Sequence, residues 1–365
     1  MNACLIGFNL TNFLLAILLS KKGFKVDIIF EEKNTYKFTN RTIGVSKKNV
    51  EFIKSFLQIP NQYLWPIKEI EIFNLNNHPS KKIKFKDNKN ENFFIIKQDY
   101  FNNLSERKCR KLKNVYFKKY KENEILKLEK KNNYNLIINS QSNNILMKKF
   151  FSNSIKKDYE SSAFTSIINH KKFDNYKAIQ VFTKYGPLAF LPLSKDKTSI
   201  VYSVQKKFRL NLDQIKNEIL KYSKKYGLKK LDNLEKFELK YSFSRKFVHK
   251  NIVCFGDALH KIHPLAGQGF NMTLRDLKLL LNIIENKINY GLEIDRSTLI
   301  EFRDKSKHFN YIFGIGINLI NEFFNLDSRF NGKISENIFS FLDTNELFKK
   351  KSILVADEGV NFITE

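Results

Sequence analysis

The chain has 365 residues, enough for one large domain or two ordinary ones with a full-sized core. Its apolar fraction of 42% belongs to a folded protein and excludes the disordered and low-complexity classes. The formal net charge of +27 comes from lysines spread along the chain in short runs such as Lys81-Lys82 and Lys349-Lys350-Lys351, with no nucleic-acid-reading motif beside them. Compositional drift toward lysine accounts for that charge. Among functional readings an anionic membrane surface suits it better than nucleic acid.

Three cysteines, Cys4, Cys109 and Cys254, show no Cys-x-x-Cys spacing and are odd in number. That argues against a disulfide scaffold or a zinc site and for a reducing, cytoplasmic compartment. The N-terminus has no basic n-region, and no apolar run approaches the roughly 20 residues of a membrane span. Any membrane contact is therefore expected to be peripheral, on the inner face.

In chain order, Ala3-Cys4-Leu5-Ile6 predicts a short buried strand ending at Gly7. Phe13, Leu14, Ile17 and Leu18 fall at helical spacing and predict a helix over 11–22, closed by Lys21-Lys22-Gly23. Val26 to Phe30 predicts a second strand, followed by Glu31-Glu32. A strand–helix–strand start opens many dinucleotide-binding folds. Residues 45–57 predict a helix, 67–96 antiparallel strands, 99–112 a helix and 115–138 a further strand group ending in the apolar run at 134–138. Residues 159–204 predict antiparallel sheet punctuated by Gly186-Pro187, and 211–224 a helix. Ile252 to Phe255 predicts a buried strand ending at Gly256-Asp257. Leu274, Leu277, Leu280, Leu281, Ile284 and Ile288 make one stripe of a helix over 271–288. A last helix over 309–326, carrying Phe309, Phe313, Phe323 and Phe324, is read as core, with a membrane-interfacial role as the alternative. Trp65 is likewise read as core.

Chemistry concentrates at 256–271. A strand that stops at glycine lets the backbone turn beside a ligand without a Cβ clash. The carboxylate that follows, Asp257, accepts hydrogen bonds from sugar hydroxyls. Gly267 and Gly269 lie at the start of the next helix, whose N-terminus stabilises negative charge. His260 and His263 lie three apart without a third ligand at a recognisable spacing, so they are read as loop-shaping residues and no metal is expected. No Ser-His-Asp or Cys-His set can be assembled, and the catalytic residue stays unassigned.

The run Gly256-Asp257-Ala258-x-His260-x-Ile262-His263-Pro264-Leu265-Ala266-Gly267-Gln268-Gly269-x-Asn271-x-x-x-Arg275-Asp276 closely resembles the second flavin motif of the ubiquinone-biosynthesis hydroxylases. These are flavin monooxygenases of the p-hydroxybenzoate hydroxylase fold. Tyr159, Ala163, His170, Phe182 and Gly186 to Leu193 are similar to that family's substrate-domain sheet, and Arg41 to Ser46 to its arginine-centred segment after the second strand.

The resemblance implies an α/β chain with a Rossmann-like FAD-binding domain (1–68, 94–155 and 243–308) interleaved with an antiparallel substrate-binding sheet (69–93 and 156–242). Residues 309–365 would form a C-terminal helical region. It implies FAD held by Gly7, Asn9, Asn12, Glu31 (or Glu32, one register on) and Arg41, and by Gly256, Asp257, Pro264, Ala266, Gly267, Gln268, Gly269, Phe270 and Asn271. The implied reaction is hydroxylation of a polyprenylated phenol in ubiquinone biosynthesis by O2 through a flavin hydroperoxide, with NADH or NADPH as reductant. Contact with the membrane or with other ubiquinone-biosynthesis proteins, and none with nucleic acid, goes with it.

Two departures stand out. The family's Gly-x-Gly-x-x-Gly, which lets a pyrophosphate approach the backbone, reads Gly7-Phe8-Asn9-Leu10-Thr11-Asn12 here. The family's Asp-Gly pair after the strand at 134–138 is replaced by Asn139-Ser140-Gln141-Ser142-Asn143. A non-catalytic relative serving within a biosynthetic complex, and a flavin-dependent reductase of the same fold, therefore stay open as alternatives.

Overall fold

A computed structural model describes residues 1–31, 40–74, 82–86, 93–130, 133–263, 267–327, 330 and 332–359. The first of its three sheets has six strands in the order Val248–His249, Ile252–Cys254, Leu136–Asn139, Asn2–Ile6, Lys25–Phe30, Val115–Lys119. Every pairing is parallel except the Val248–His249 hairpin. A parallel sheet is covered on both faces, so its strands are unbroken apolar runs; Ala3, Cys4, Leu5 and Ile6 are all buried. The helix Leu10–Lys21 returns from the first strand to the second, as the spacing of its apolar residues predicts.

The second sheet runs His260–Lys261, Glu235–Ser244, Ser154–His170, Lys197–Gln205, Gly186–Pro192, Lys177–Thr183, Glu69–Phe73, Lys82–Lys86, with Leu228–Leu231 paired to the long strand Ser154–His170. One face is packed and the other more open, so burial alternates along Gly186–Pro192. Gly186 sits at φ +140°, and a Cβ there would stand 2.2 Å from the Ser203 carbonyl oxygen, so only glycine closes this hairpin. The expected antiparallel character holds except where Lys177–Thr183 pairs in parallel with Glu69–Phe73. A third, three-stranded sheet joins Thr42–Ser46, Phe93–Lys97 and Trp65–Ile67.

Three expectations change. Residues 115–138 are not one strand group: the helix Glu122–Lys127 separates Val115–Lys119 from Leu136–Asn139. Glu122 and Glu124 in its first turn complement the helix dipole, a signal hidden by the helix's short length. The helix expected at 271 begins at Gln268, so the glycine-containing stretch is its first turn. The helix expected over 309–326 is the second half of Arg296–Asp327, so the boundary expected at 308/309 falls inside one helix. Helices Lys333–Thr344 and Glu346–Glu358 follow. Trp65 is half-buried, donating from Nε1 to the Asn175 carbonyl at 2.6 Å and stacking on Tyr176.

Candidate functional site

Register brings the site together. Ile6 pairs with Ile29 and with Asn139, and Cys254 pairs with Asn139, so four parallel strands end level with one another. The residues just beyond them are Gly7, Glu31, Ser140 and, past Phe255, Gly256-Asp257. Parallel sheets bind ligands outside these carboxyl ends. Gly256, at φ +52°, lies against the first turn of helix Leu10–Lys21: a Cβ would meet Thr11 at 3.2 Å. Asp257 is exposed and has no hydrogen bond or ion pair among the described residues.

The helix Gln268–Asn289 begins at Gly267, which has φ +65° and offers no side-chain cap. A Cβ on Gly267 would stand 3.2 Å from the Gly44 amide nitrogen, so the helix start lies directly on the backbone of strand Thr42–Ser46. Asn271, fully buried, fixes this junction. Its Oδ1 accepts from the Ser46 amide (3.0 Å) and Asn49 Nδ2 (2.9 Å), and its Nδ2 donates to the carbonyls of Gly44 (3.0 Å) and Gly267 (3.3 Å). Gln268 is buried, and its Oε1 has no hydrogen-bond partner among the described residues. Phe270 packs edge-on against buried Phe101. Pro264, Ala266 and the alternative Glu32 lie outside the described residues.

The two histidines are buried. His260 Nε2 and Asp276 Oδ2 are 2.8 Å apart, and Asn310 Nδ2 donates to Asp276 Oδ1 at 2.7 Å. That buried chain ties the 256–263 segment to the helices Gln268–Asn289 and Arg296–Asp327. His263 is 2% exposed, and burial pushes its pKa down to about 3. It stands edge-on to Tyr159, whose hydroxyl burial pushes up. Both are neutral at physiological pH. Among the described residues no group of three or more His, Cys, Asp or Glu is placed to hold a metal ion. The three cysteines are free and buried, with Cys109 raised to about 12 by burial, so none is a thiolate nucleophile.

Sequence reasoning missed Ser140. It lies in the stretch that lost the Asp-Gly pair, and its hydroxyl accepts from Asn9 Nδ2 at 2.7 Å. It also missed Lys261, whose ammonium donates to Ser142 Oγ at 2.7 Å beside the same strand end. The position of Ser140 just past a buried strand was the available signal. Arg41 lies with its guanidinium 3.9 Å from the ring centre of Phe237 on the second sheet, an orientation that loop position alone did not indicate. Asn12 replaces the last glycine of the Gly-x-Gly-x-x-Gly pattern. It is fully buried and donates from Nδ2 to the Gly7 carbonyl at 2.7 Å.

Residues 164–289 match the FAD binding domain family. Over 98% of its length the chain superposes on p-nitrophenol 4-monooxygenase from Pseudomonas putida DLL-E4, covering 97% of that chain with a TM-score of 0.76 at 12% identity. This is a flavin-monooxygenase fold. PqsL of Pseudomonas aeruginosa, solved with 2-aminobenzoylacetate, matches at TM-score 0.72 and 12% identity over 91% of this chain and 98% of that one. In sequence the chain is 34% identical over 118 residues to the 3-demethoxyubiquinol 3-hydroxylase of Escherichia coli (strain K12), covering 31% of this chain and 30% of that protein. It is 22% identical over 216 residues to the mitochondrial ubiquinone biosynthesis monooxygenase COQ6 of Caenorhabditis elegans, covering 47% and 48%. These alignments span less than half the length of either relative.

The flavin-monooxygenase fold needs a dinucleotide seat, and the residues present fit one over most of its length. Among the described residues, the uncapped start of a 22-residue helix, the partnerless Asp257 carboxylate and the orphaned Gln268 oxygen each stand next to a positive-φ glycine. The fit is altered at the Gly7–Asn12 turn.

Proposed function

We propose that the chain is an FAD-dependent monooxygenase that hydroxylates the aromatic ring of a polyprenylated phenol in ubiquinone biosynthesis. The observation that carries this is the 256–271 stretch. It sets a carboxylate with no partner among the described residues at the carboxyl edge of a mainly parallel sheet and an uncapped helix start against strand Thr42–Ser46. The relatives named as ubiquinone hydroxylases support the substrate class.

In this reading Glu31 and Asp257 accept from the sugar and ribityl hydroxyls, and the N-terminus of helix Leu10–Lys21 faces the pyrophosphate. The N-terminus of helix Gln268–Asn289, with Gly267, Gln268, Gly269 and Asn271, faces the electron-rich pole of the ring. Arg41 and Phe270 would flank it, and the resemblance assigns Pro264 and Ala266, outside the described residues, to the same cofactor. Bound FAD supplies two-electron transfer from NADH or NADPH and the activation of O2. The protein's part is to orient the phenol and keep water out. Neutral His263 and Tyr159 suit that task, since neither presents a charge that needs solvation. The six-stranded, mainly parallel sheet serves as the cofactor domain and the second sheet as the substrate domain.

The protein also contacts the membrane that holds its substrate. The helix Arg296–Asp327 leaves Ile312, Ile315, Leu319 and Ile320 exposed along one side. Beside them Arg245, Lys307, His308, Tyr311 and Ile312 line an open cavity of about 410 Å³. An apolar stripe with flanking cations suits an anionic lipid surface. Among the described residues no helix is long and apolar enough to cross a membrane.

A second reading, a non-catalytic relative within a biosynthetic complex, is favoured by Asn9, Asn12 and the missing carboxylate at 139–143. One experiment separates the two: the protein with FAD, NADH or NADPH and a short-chain polyprenyl phenol under oxygen-18 gas. The proposed activity gives a product heavier by one labelled oxygen atom. Unchanged phenol despite bound flavin favours the second reading, and an oxygen-independent reduced product favours a reductase.

A further inference from the structure

Asn9 stands where the family's turn has its second glycine, and its side chain does two things at once. It is the N-cap of helix Leu10–Lys21, with Oδ1 accepting from the Asn12 amide at 3.1 Å. Its Nδ2 donates to Ser140 Oγ at 2.7 Å, across the sheet edge from the first strand to the end of strand Leu136–Asn139. Ser140 Oγ in turn lies 3.3 Å from the Ile6 carbonyl oxygen. A Cβ added to Gly7 would meet Asn9 Nδ2 at 2.9 Å and Ser140 Oγ and the Gln141 Cβ at 3.3 Å. The amide group therefore fills the space directly over the Gly7 backbone. The Asn12 side chain closes the turn from beneath through its bond to the Gly7 carbonyl.

The amides at a helix N-terminus are what a dinucleotide's pyrophosphate accepts from, and the small residue at this point of the turn is what lets it come close. Here a carboxamide oxygen already holds one of those donors, and a carboxamide nitrogen spans the gap. From this we propose that Asn9 is a latch over the pyrophosphate seat: FAD binds only when the Asn9 side chain swings away from Asn12 and Ser140. The proposal rests on the reading of this sheet edge as an FAD site and specifies how access to it is controlled. Flavin affinity is set by the cost of breaking two hydrogen bonds, and the flavin-free protein keeps its first helix capped without a ligand. Ser140 is part of the same device, so the serine that replaces the family's Asp-Gly segment and the asparagine in its glycine turn act as a pair.

The test uses the full chain, stripped of flavin, and three proteins: the parent, Asn9→Gly and Asn9→Asp. FAD is titrated in, and binding is read from quenching of free-flavin fluorescence, with no turnover involved. Glycine removes the latch, and aspartate keeps the helix cap, being an equally good N-cap residue, but sets a negative charge against the pyrophosphate. The thermal midpoint of each flavin-free protein reports whether the cap and fold are kept. The latch predicts FAD binding about tenfold tighter in Asn9→Gly, matching the loss of two ordinary hydrogen bonds. It predicts binding at least about tenfold weaker in Asn9→Asp at an unchanged thermal midpoint. If Asn9→Gly binds FAD no more tightly than the parent, the latch is overturned while the FAD site stands, whatever Asn9→Asp does. If none of the three takes up FAD, the FAD site itself is wrong and the latch falls with it. Should Asn9→Gly not fold, Ser140→Ala, which removes one of the two bonds and keeps the cap, reads the latch in its place: FAD binding tighter than the parent's supports it, and unchanged binding overturns it.

Discussion

His263 sits two residues beyond the short strand His260–Lys261, buried, with no partner for Nδ1 among the described residues and its ring against Tyr159. An imidazole in that setting stays neutral, and its folded pKa is about 3 against an ordinary 6.5. The unfolded chain therefore binds a proton there that the folded chain refuses, and stability rises with pH between those two values. Between pH 7.5 and pH 5.0 this one group should cost about 2 kcal/mol of folding stability. Urea unfolding at the two pH values measures it, and His263→Gln should abolish that increment. An equal acid loss in parent and variant would show that His263 is not the titrating group. The long motif at 256–271 was legible because glycine, carboxylate and helix start are close in sequence and each has its own backbone or charge requirement. The Asn9–Ser140 bond was not, because its partners lie 131 residues apart and only the register of two parallel strands joins them. Asn271 shows the same limit: its place in the motif was visible, but its role as a staple between the helix start and strand Thr42–Ser46 needed the third sheet.

At the level of elements, the helix Arg296–Asp327 has two characters. Phe313 and Gly314 face inward, the latter with its Cα side against Tyr241 and Phe243, and Phe324 stacks on Phe182 of the second sheet. Ile312, Ile315 and Leu319 face outward at helical spacing. The sequence showed an apolar helix and could not apportion its faces, because isoleucine and phenylalanine are apolar alike and the burying partners come from strands at 177–183 and 235–244. If the outward face meets lipid, Ile315→Glu with Leu319→Glu should weaken co-sedimentation with phosphatidylglycerol vesicles by about tenfold or more. Both positions are exposed, so the thermal midpoint should stay within the small range of surface substitutions. Undiminished vesicle binding by the double variant would remove this helix from the membrane reading. The parallel strands were the most legible elements, as unbroken buried runs such as Ile252–Cys254. The short helix Glu122–Lys127 was the least, having too few residues to show a period.

Across the whole molecule, the polypeptide passes repeatedly between the two larger sheets: Asn2–Ile6 and Lys25–Phe30 lie in the first, Glu69–Phe73 in the second, Val115–Lys119 in the first again. This interleaving leaves the carboxyl edge of the first sheet beside the second, with Glu235–Ser244 leading directly into the last strands of the first sheet and the 256–271 segment. Strand His260–Lys261 of that segment pairs back onto Glu235–Ser244. The segment thus belongs to both layers, and a ligand held by it faces both. The order of these passages was legible from the resemblance. The level strand ends that gather Gly7, Glu31, Ser140 and Asp257 were not, because register is a property of pairs of strands. The central claim is that this shared edge holds FAD, and equilibrium titration of the flavin-free chain with FAD, in the parent and in Asp257→Ala, tests it most directly. The account predicts saturable uptake of one FAD per chain, weakened by about tenfold or more when the Asp257 carboxylate is removed. Absence of saturable uptake, or equal affinity in the two proteins, would contradict it.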